Sequence, residues 1–452
     1  MAANARITTA AIFVIVVSPV FASSAEATVV DAGRPQCCSS IAPEMPPATH
    51  YGATMYRKSD QLNHSEFSLS TPADPSASVE DLLAEVERLE QQEGPMSSGL
   101  ARPLADLGYA YLTRNRSSEA IRYLQRSIHL ARVSEGLYAP SQEEMLEQLI
   151  AAYISQGNFM AADEQQTYLF RVKSFQREHP GNPQRLEATL RYANWMRVAY
   201  LGDLDRERYP RLVGLNDLYE EAIEELEEAE GKNSPDLLPY LQGRIELSYL
   251  ISVYPGEQET GFRADARQPT DFELASDAQL RFWRIRDHNF RYGLEALEQK
   301  EEILQANPES RPEEHAAARL ALADWYQWHR RYAKAIRLYE EVWDIMVDEE
   351  NAQAWLQQKF SIPLELPRTD VFKPGQVPLG TLNTAEISMD FTVSRHGEAK
   401  DIKILTEVTD KDMQSAITRA YHYLRNMRFR PSLDNGEVVA TPHIERNYQI
   451  RY

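Results

Sequence analysis

Cysteine is almost missing from this chain: its 452 residues hold two, adjacent at Cys37 and Cys38. A zinc finger, a CxxC redox site and a disulfide-dense scaffold all need spaced cysteines, so all three are excluded. The pair reads as two exposed thiols in a floppy segment. Basic residues are also scarce, 48 Lys and Arg against 68 Asp and Glu, for a net charge of −20. Bulk nucleic-acid binding needs clustered cations on phosphates, which argues against nucleic acid as a partner. Catalytic signatures are missing as well. There is no HExxH, GxSxG, P-loop or GxGxxG, and the ten histidines show no paired ligand spacing. No enzyme activity, metal or cofactor is implied. Long apolar runs are also lacking. Ile7 to Val17, followed by Ser18 and Pro19, falls short of the roughly 18 residues a spanning helix needs.

That short run follows Arg6 and precedes the small residues Ala22, Ser23, Ser24 and Ala25, so residues 1–25 read as a cleaved secretory signal. The alternative is an uncleaved anchor over Ile7–Ala22. Hydrophobic residues at 43% and charged residues at 26% fit a folded soluble chain. Residues 26–78 are rich in Ala, Ser, Pro and Thr without periodicity, which predicts a disordered tether. From 79 to 360 apolar residues recur at helical spacing, broken by short turns such as Arg114-Asn115-Arg116 and Gln156-Gly157-Asn158. Residues 361–384, with Pro363, Pro367, Pro374 and Pro378, read as a stiff linker. After it the period drops to two over 385–452, the signature of strands.

The helical part repeats. From Ala101, the residues Leu104, Leu107, Gly108, Tyr111, Ala120, Leu124 and Ser127 recur in a spacing shared by a unit at Ala316, with Leu322, Ala323, Tyr326, Tyr332, Ala335, Tyr339 and Val342. A looser unit begins at Glu143. Small residues at the eighth and twentieth positions let two helices of a hairpin approach, and large ones fill around them. The stretch 185–300 is helical but degenerate. This pattern resembles the tetratricopeptide repeat (TPR). The resemblance implies a scaffold whose concave face binds peptides or proteins, with Arg102 and Tyr109 of the first unit and Asp324, Gln327 and Trp328 of the third on that face. The run from Glu220 to Glu230 reads as a solvated helix face.

In the carboxy-terminal region Ile387, Met389, Phe391 and Val393 alternate with polar residues. Ser394-Arg395-His396-Gly397 reads as a turn, and Ile402 and Ile404 mark the return strand. Met413, Ala416, Ile417, Ala420, Leu424 and Met427 share one helix face. Arg428-Phe429-Arg430-Pro431, a turn at Asn435-Gly436, and a terminal strand follow, with Phe429 assigned to the core. The terminal strand, His443-Ile444-Glu445-Arg446-Asn447-Tyr448-Gln449-Ile450-Arg451, has no later segment to cover it. It therefore reads as an exposed edge open to an added strand, guarded by Glu445, Arg446 and Arg451.

This strand–strand–helix–strand order, together with Phe391-Thr392-Val393-Ser394-Arg395-His396-Gly397, Arg428-Phe429-Arg430-Pro431 and Asn435-Gly436, resembles the TonB carboxy-terminal domain. The resemblance covers about 70 residues. It implies a periplasmic location in a Gram-negative envelope and β-pairing with an envelope protein or peptide, such as an outer-membrane transporter. The Tyr-Pro segment usual before the first strand is absent, and helical repeats replace the proline-lysine spacer of transducing members. The expected molecule is thus mainly α: a TPR-like α-solenoid followed by a small α+β domain, acting as a periplasmic protein–protein interaction scaffold. The alternative is an inner-membrane-anchored energy transducer in outer-membrane transport. Self-association into a homo-oligomer is left open. Residues 371–452 carry 11 basic and 10 acidic side chains, so the helical part holds essentially all the acidic excess.

Overall fold

Antiparallel helix pairs make up most of the fold. The computed structural model describes residues 55–57, 78–175, 182–202, 204, 209–254, 277–349, 352–367, 384–408 and 411–451. The expected signal segment, most of the expected tether, and Cys37 and Cys38 lie outside them. Helix α1 (Val79–Glu93) starts where Ser78 accepts the Asp81 amide. Then come α2 (Ala101–Leu112), α3 (Ser117–Glu135), α4 (Gln142–Ser155) and α5 (Phe159–Phe175). They are followed by α6 (Pro183–Leu201), α7 (Tyr209–Glu230), α8 (Leu238–Ser252) and α9 (Asp277–Ala306). The last hairpin is α10 (Pro312–Trp328) with α11 (Tyr332–Met346), and α12 (Ala352–Phe360) closes the helical part. Among the described residues no helix is long and apolar enough to cross a membrane.

Close packing explains the repeat spacing. A Cβ added at Gly108 would lie 2.6 Å from Leu124 Cγ, so α2 and α3 meet through the small residue, with Ala120 fully buried beside them. The degenerate stretch uses the same device at other positions. Gly243 of α8 lies under the Tyr219 ring of α7, and Gly293 of α9 under the Trp325 ring of α10. The first two hairpins, with Trp195 and Val198 of α6, form one core, and the elements from α6 to α12 form a second.

The small domain has a third core. Strands β3 (Thr384–Val393) and β4 (Ala399–Ile404) form a hairpin, and α13 (Lys411–Asn426) buries Ala416, Ile417, Ala420 and Leu424. Then follow β5 (Phe429–Arg430), β6 (Ser432–Asp434), β7 (Glu437–Val439) and β8 (Thr441–Arg451). Phe429 is fully buried, its ring 5.6 Å from that of Phe391.

Two short strands fall where the sequence predicts irregular chain. In the expected tether, β1 (Met55–Arg57) pairs antiparallel with β8, Met55 opposite Ile450 and Arg57 opposite Tyr448. In the expected linker, β2 (Leu364–Glu365) pairs with β5. Three residues and two residues are too short for a period-two pattern to register, and what fixes them is the partner strand. The main sheet therefore runs β1-β8-β3-β4. Bulges at Asp401 and His443, both at positive φ, bend β4 and β8 opposite Thr392.

Three hairpin turns share one backbone device. Asn115, Gly157 and Arg330 each take a left-handed conformation, at φ 58°, 72° and 58°. Just before the third, His329 is wedged between Phe290 and Trp325, its ring 4.3 Å from that of Trp325. Its Nε2 is buried with no hydrogen-bond partner among the described residues. Burial first, and the Arg331 charge second, push this imidazole down to about 4.

A pH dependence follows from that depression. The unfolded chain takes up a proton at His329 near its ordinary pKa, while the folded chain resists until about 4. The stabilisation from a neutral His329 is thus intact above pH ~6.5 and drains away as pH falls through the folded value, by about 3 kcal/mol in all. Denaturant titrations at pH 7 and pH 4 should show the His329→Phe variant losing about that much less stability than wild type. Parallel losses in both proteins would remove His329 as the cause.

Candidate functional site

The junction between the last hairpin and the small domain is a buried polar site held by several side-chain hydrogen bonds. Asp324 lies on the fourth turn of α10, in the otherwise apolar run Ala321-Leu322-Ala323-Asp324-Trp325. Its carboxylate receives a two-pronged hydrogen bond from Arg430 of β5, Nε to Oδ1 at 3.0 Å and Nη2 to Oδ2 at 2.6 Å. Tyr339 of α11 donates its hydroxyl to Oδ1 at 2.9 Å. The Arg430 and Asp324 side chains are only 4% and 7% exposed. Burial opposes the Arg430 charge, but the Asp324 charge and its hydrogen bonds prevail and hold the guanidinium above its ordinary range. Burial and then the Asp324 charge push the Tyr339 phenol well up, so it stays a donor.

One helical turn on, Gln327 donates its side-chain amide to His396 O at 2.6 Å and to Phe429 O at 3.0 Å. These carbonyls flank Gly397, whose φ of +66° is left-handed. A Cβ there would collide with the Gln327 amide nitrogen and the Phe429 carbonyl. The sequence assigns Gly397 to a turn; contact with α10 adds a second demand for glycine. Tyr332 stacks on His396, centroids 5.3 Å apart, and donates its hydroxyl to Glu398 at 2.8 Å. Leu433 and Val438 reach into the core of the last repeats, and Trp328 packs against the core of the small domain.

This overturns three partner-binding assignments. Asp324, Gln327 and Trp328, expected to line an open concave face, face the chain's own carboxy-terminal domain. Asp324 and Gln327 are buried by it, and Trp328 is half-buried, its indole donating to Ser252 Oγ at 2.9 Å. The repeat position was legible, but its occupant was not. The two concave-face residues of the first repeat sit elsewhere. Arg102 is exposed and bridges Asp106 of its own helix and Glu144 of α4, at 3.0 and 2.8 Å, and Tyr109 is half-buried on α2.

The terminal strand is corrected too. β8 is expected to be an uncovered edge, yet over Tyr448–Ile450 it lies inside the sheet, between β1 and β3. Three residues of the amino-terminal segment take up the backbone groups at Tyr448–Ile450. The reason is physical: an open row of amides and carbonyls is a template for any extended segment tethered nearby. Ile444, Tyr448 and Ile450 are buried, and Tyr448 donates its hydroxyl to Glu365 of β2 at 3.1 Å. Arg446 donates to Pro363 O at 3.1 Å, Asn447 accepts from Ser388, and His443 and Glu445 are exposed. The side chains of Gln449 and Arg451 lie outside the described residues.

No family model and no curated protein matches the chain. Among solved structures, it is similar to the nearly identical TPR-like repeats of a Podosopora anserina protein, provisionally described as a kinesin light chain. That match has 18% identity and a TM-score of 0.33, over 57% of this chain and 99% of the other. A point variant of the same protein gives 18% identity and a TM-score of 0.32, over 56% and 97%. At that level the likeness carries no argument. The TPR-like description rests on the hairpins and their small-residue contacts.

The buried pair sets a mutational test. Arg430→Met strands a buried carboxylate and should destabilise the chain by about 3–5 kcal/mol in urea unfolding. Adding Asp324→Leu should recover much of that loss, because no charge is then left in the dry site. Additive losses in the double variant would show that the two side chains do not act on each other.

Proposed function

We propose that this protein is a protein–protein interaction scaffold of the bacterial envelope, a TPR-like solenoid fused to a TonB-like carboxy-terminal domain. The observation that carries the reading is the clamp of Asp324 on Arg430. It makes the small domain a fixed part of the last repeat, so that hairpins and sheet present one continuous surface to a partner. Energy transduction calls for a pairing domain that travels away from its anchor, and a clamped domain suits a scaffold better. The periplasmic location rests on the signal-like residues 1–25 and on the TonB resemblance of 385–452.

The concave face of the first two hairpins, with Arg102 and Tyr109, is the surface we assign to the partner. Osmotic shock of the source cells should release the protein, and amino-terminal sequencing should find a mature chain that begins after Ala22, Ser24 or Ala25. Recovery in the membrane pellet with Met1 intact would favour the anchored transducer. In cross-linking pull-downs from envelope extracts, Arg102→Glu with Tyr109→Ala should lose the partners that wild type retains. Retention of every partner by a folded double variant would move the binding surface off these repeats.

A further inference from the structure

A cleft of about 700 Å³ opens where the α10–α11 turn meets the small domain, between β4 and the carboxy-terminal end of α13. The chain is strongly acidic, yet four cations line this cleft, Arg330, Lys400, Arg425 and Arg428, against two carboxylates, Glu398 and Asp401. Glu398 is already engaged by the Tyr332 hydroxyl at 2.8 Å. Arg428 is held in place by the Asn426 and Met427 carbonyls at 2.7 and 3.1 Å. Arg330 and Arg425 are exposed, and among the described residues neither guanidinium has a carboxylate or a hydrogen-bond acceptor.

Arg330 occupies the position where the other two hairpin turns place Asn115 and Gly157. Asparagine and glycine tolerate a left-handed backbone. An arginine there is strained, and such strain concentrates at functional sites. Nothing in the packing asks for arginine, since its side chain is exposed in the cleft. The opposite wall is formed by Glu398 to Ile402, the outer side of β4, which is the edge of the sheet away from β1. There the only described pairing is the bridge of Glu398 with Arg428. The bulge at Asp401 interrupts the edge, leaving a short backbone template rather than an open-ended one.

We infer that this cleft binds a short extended peptide bearing carboxylates, whose main chain lies along β4 while Arg330 and Arg425 hold its acidic groups. Arginine forks match carboxylates in geometry and charge, and backbone pairing on a sheet edge supplies the rest of the affinity. The site is separate from the concave face of the first repeats and stands or falls independently of it.

The test uses the full chain and a fluorescein-labelled hexapeptide of alternating valine and glutamate, read by fluorescence anisotropy at low salt. Wild type should bind it and should ignore the valine–lysine counterpart. Arg330→Gly removes the cation and relieves the backbone, so its melting temperature should equal or exceed that of wild type while affinity falls roughly tenfold. Arg425→Gln should weaken binding by a similar factor. A glutamate peptide N-methylated at alternate residues should bind at least roughly tenfold more weakly, the loss expected of a strand deprived of its donors. Equal affinity of both arginine variants and wild type would overturn the site. Unchanged binding of the N-methylated peptide, or displacement by inorganic phosphate as effective as by unlabelled peptide, would show a small-anion site and overturn the peptide assignment.

Discussion

The ion pair of Asp324 with Arg430 fixes how the two halves of the molecule meet. Two charges this dry are costly to bury, and attraction offsets the cost only where geometry is good and the remaining lone pairs are satisfied. Both conditions hold. The guanidinium meets the carboxylate through two nitrogens, and Tyr339 takes a further oxygen lone pair. Its value is therefore in specifying one arrangement. A docking shifted by one residue along α10 would part the carboxylate from the guanidinium and leave both charges buried without each other.

From that pair the chain forms a closed circuit. The repeats end at Phe360, β2 pairs with β5, β5 carries Arg430, and Arg430 returns to α10. Gln327 and Gly397 fasten the β3–β4 turn to the same helix, and Trp343 of α11 lies over the Gly436 turn. Stacked repeats leave an apolar face at each end, and an unsatisfied terminal hairpin needs a cap. Here Leu433 and Val438 of the small domain join the repeat core, so the carboxy-terminal domain serves as the cap. A segment that looks like a separate module in sequence is in packing terms the last layer of the solenoid.

The limits of what the sequence reveals follow from contact range. The helix faces of α2, α3, α10, α11 and α13 and the alternation in β3 and β8 are local patterns, and they are readable residue by residue. So is the turn at Gly397. The degenerate stretch hid its packing because its close approaches fall at Gly243 and Gly293, outside the repeat's usual small positions. The candidate site was half legible. The sequence marks Asp324 and Gln327 as residues for an external partner, whereas the groups they hold lie about a hundred residues downstream in the same chain. One clue was present: an Asp in an apolar helix and an Arg in an alternating strand each need a partner if buried. Strands of two and three residues carry no period, so β1 and β2 left no trace.

Ionic strength separates the two kinds of electrostatics in this molecule. The Asp324–Arg430 pair is shielded from solvent, so salt screens it weakly and the docking of the cap persists across buffers. The exposed pairs, such as Arg102 with Glu144 or Arg281 with Asp217, lie in water and contribute little to stability. Exposed charges without partners among the described residues, Arg330 and Arg425 among them, serve recognition in the proposed cleft instead, where attraction across solvent is strong at low salt and fades within a Debye length of about 8 Å at physiological salt. Stability and recognition in this chain should therefore respond to salt separately: the fold through buried charge that ions do not reach, the binding surface through charge that they do.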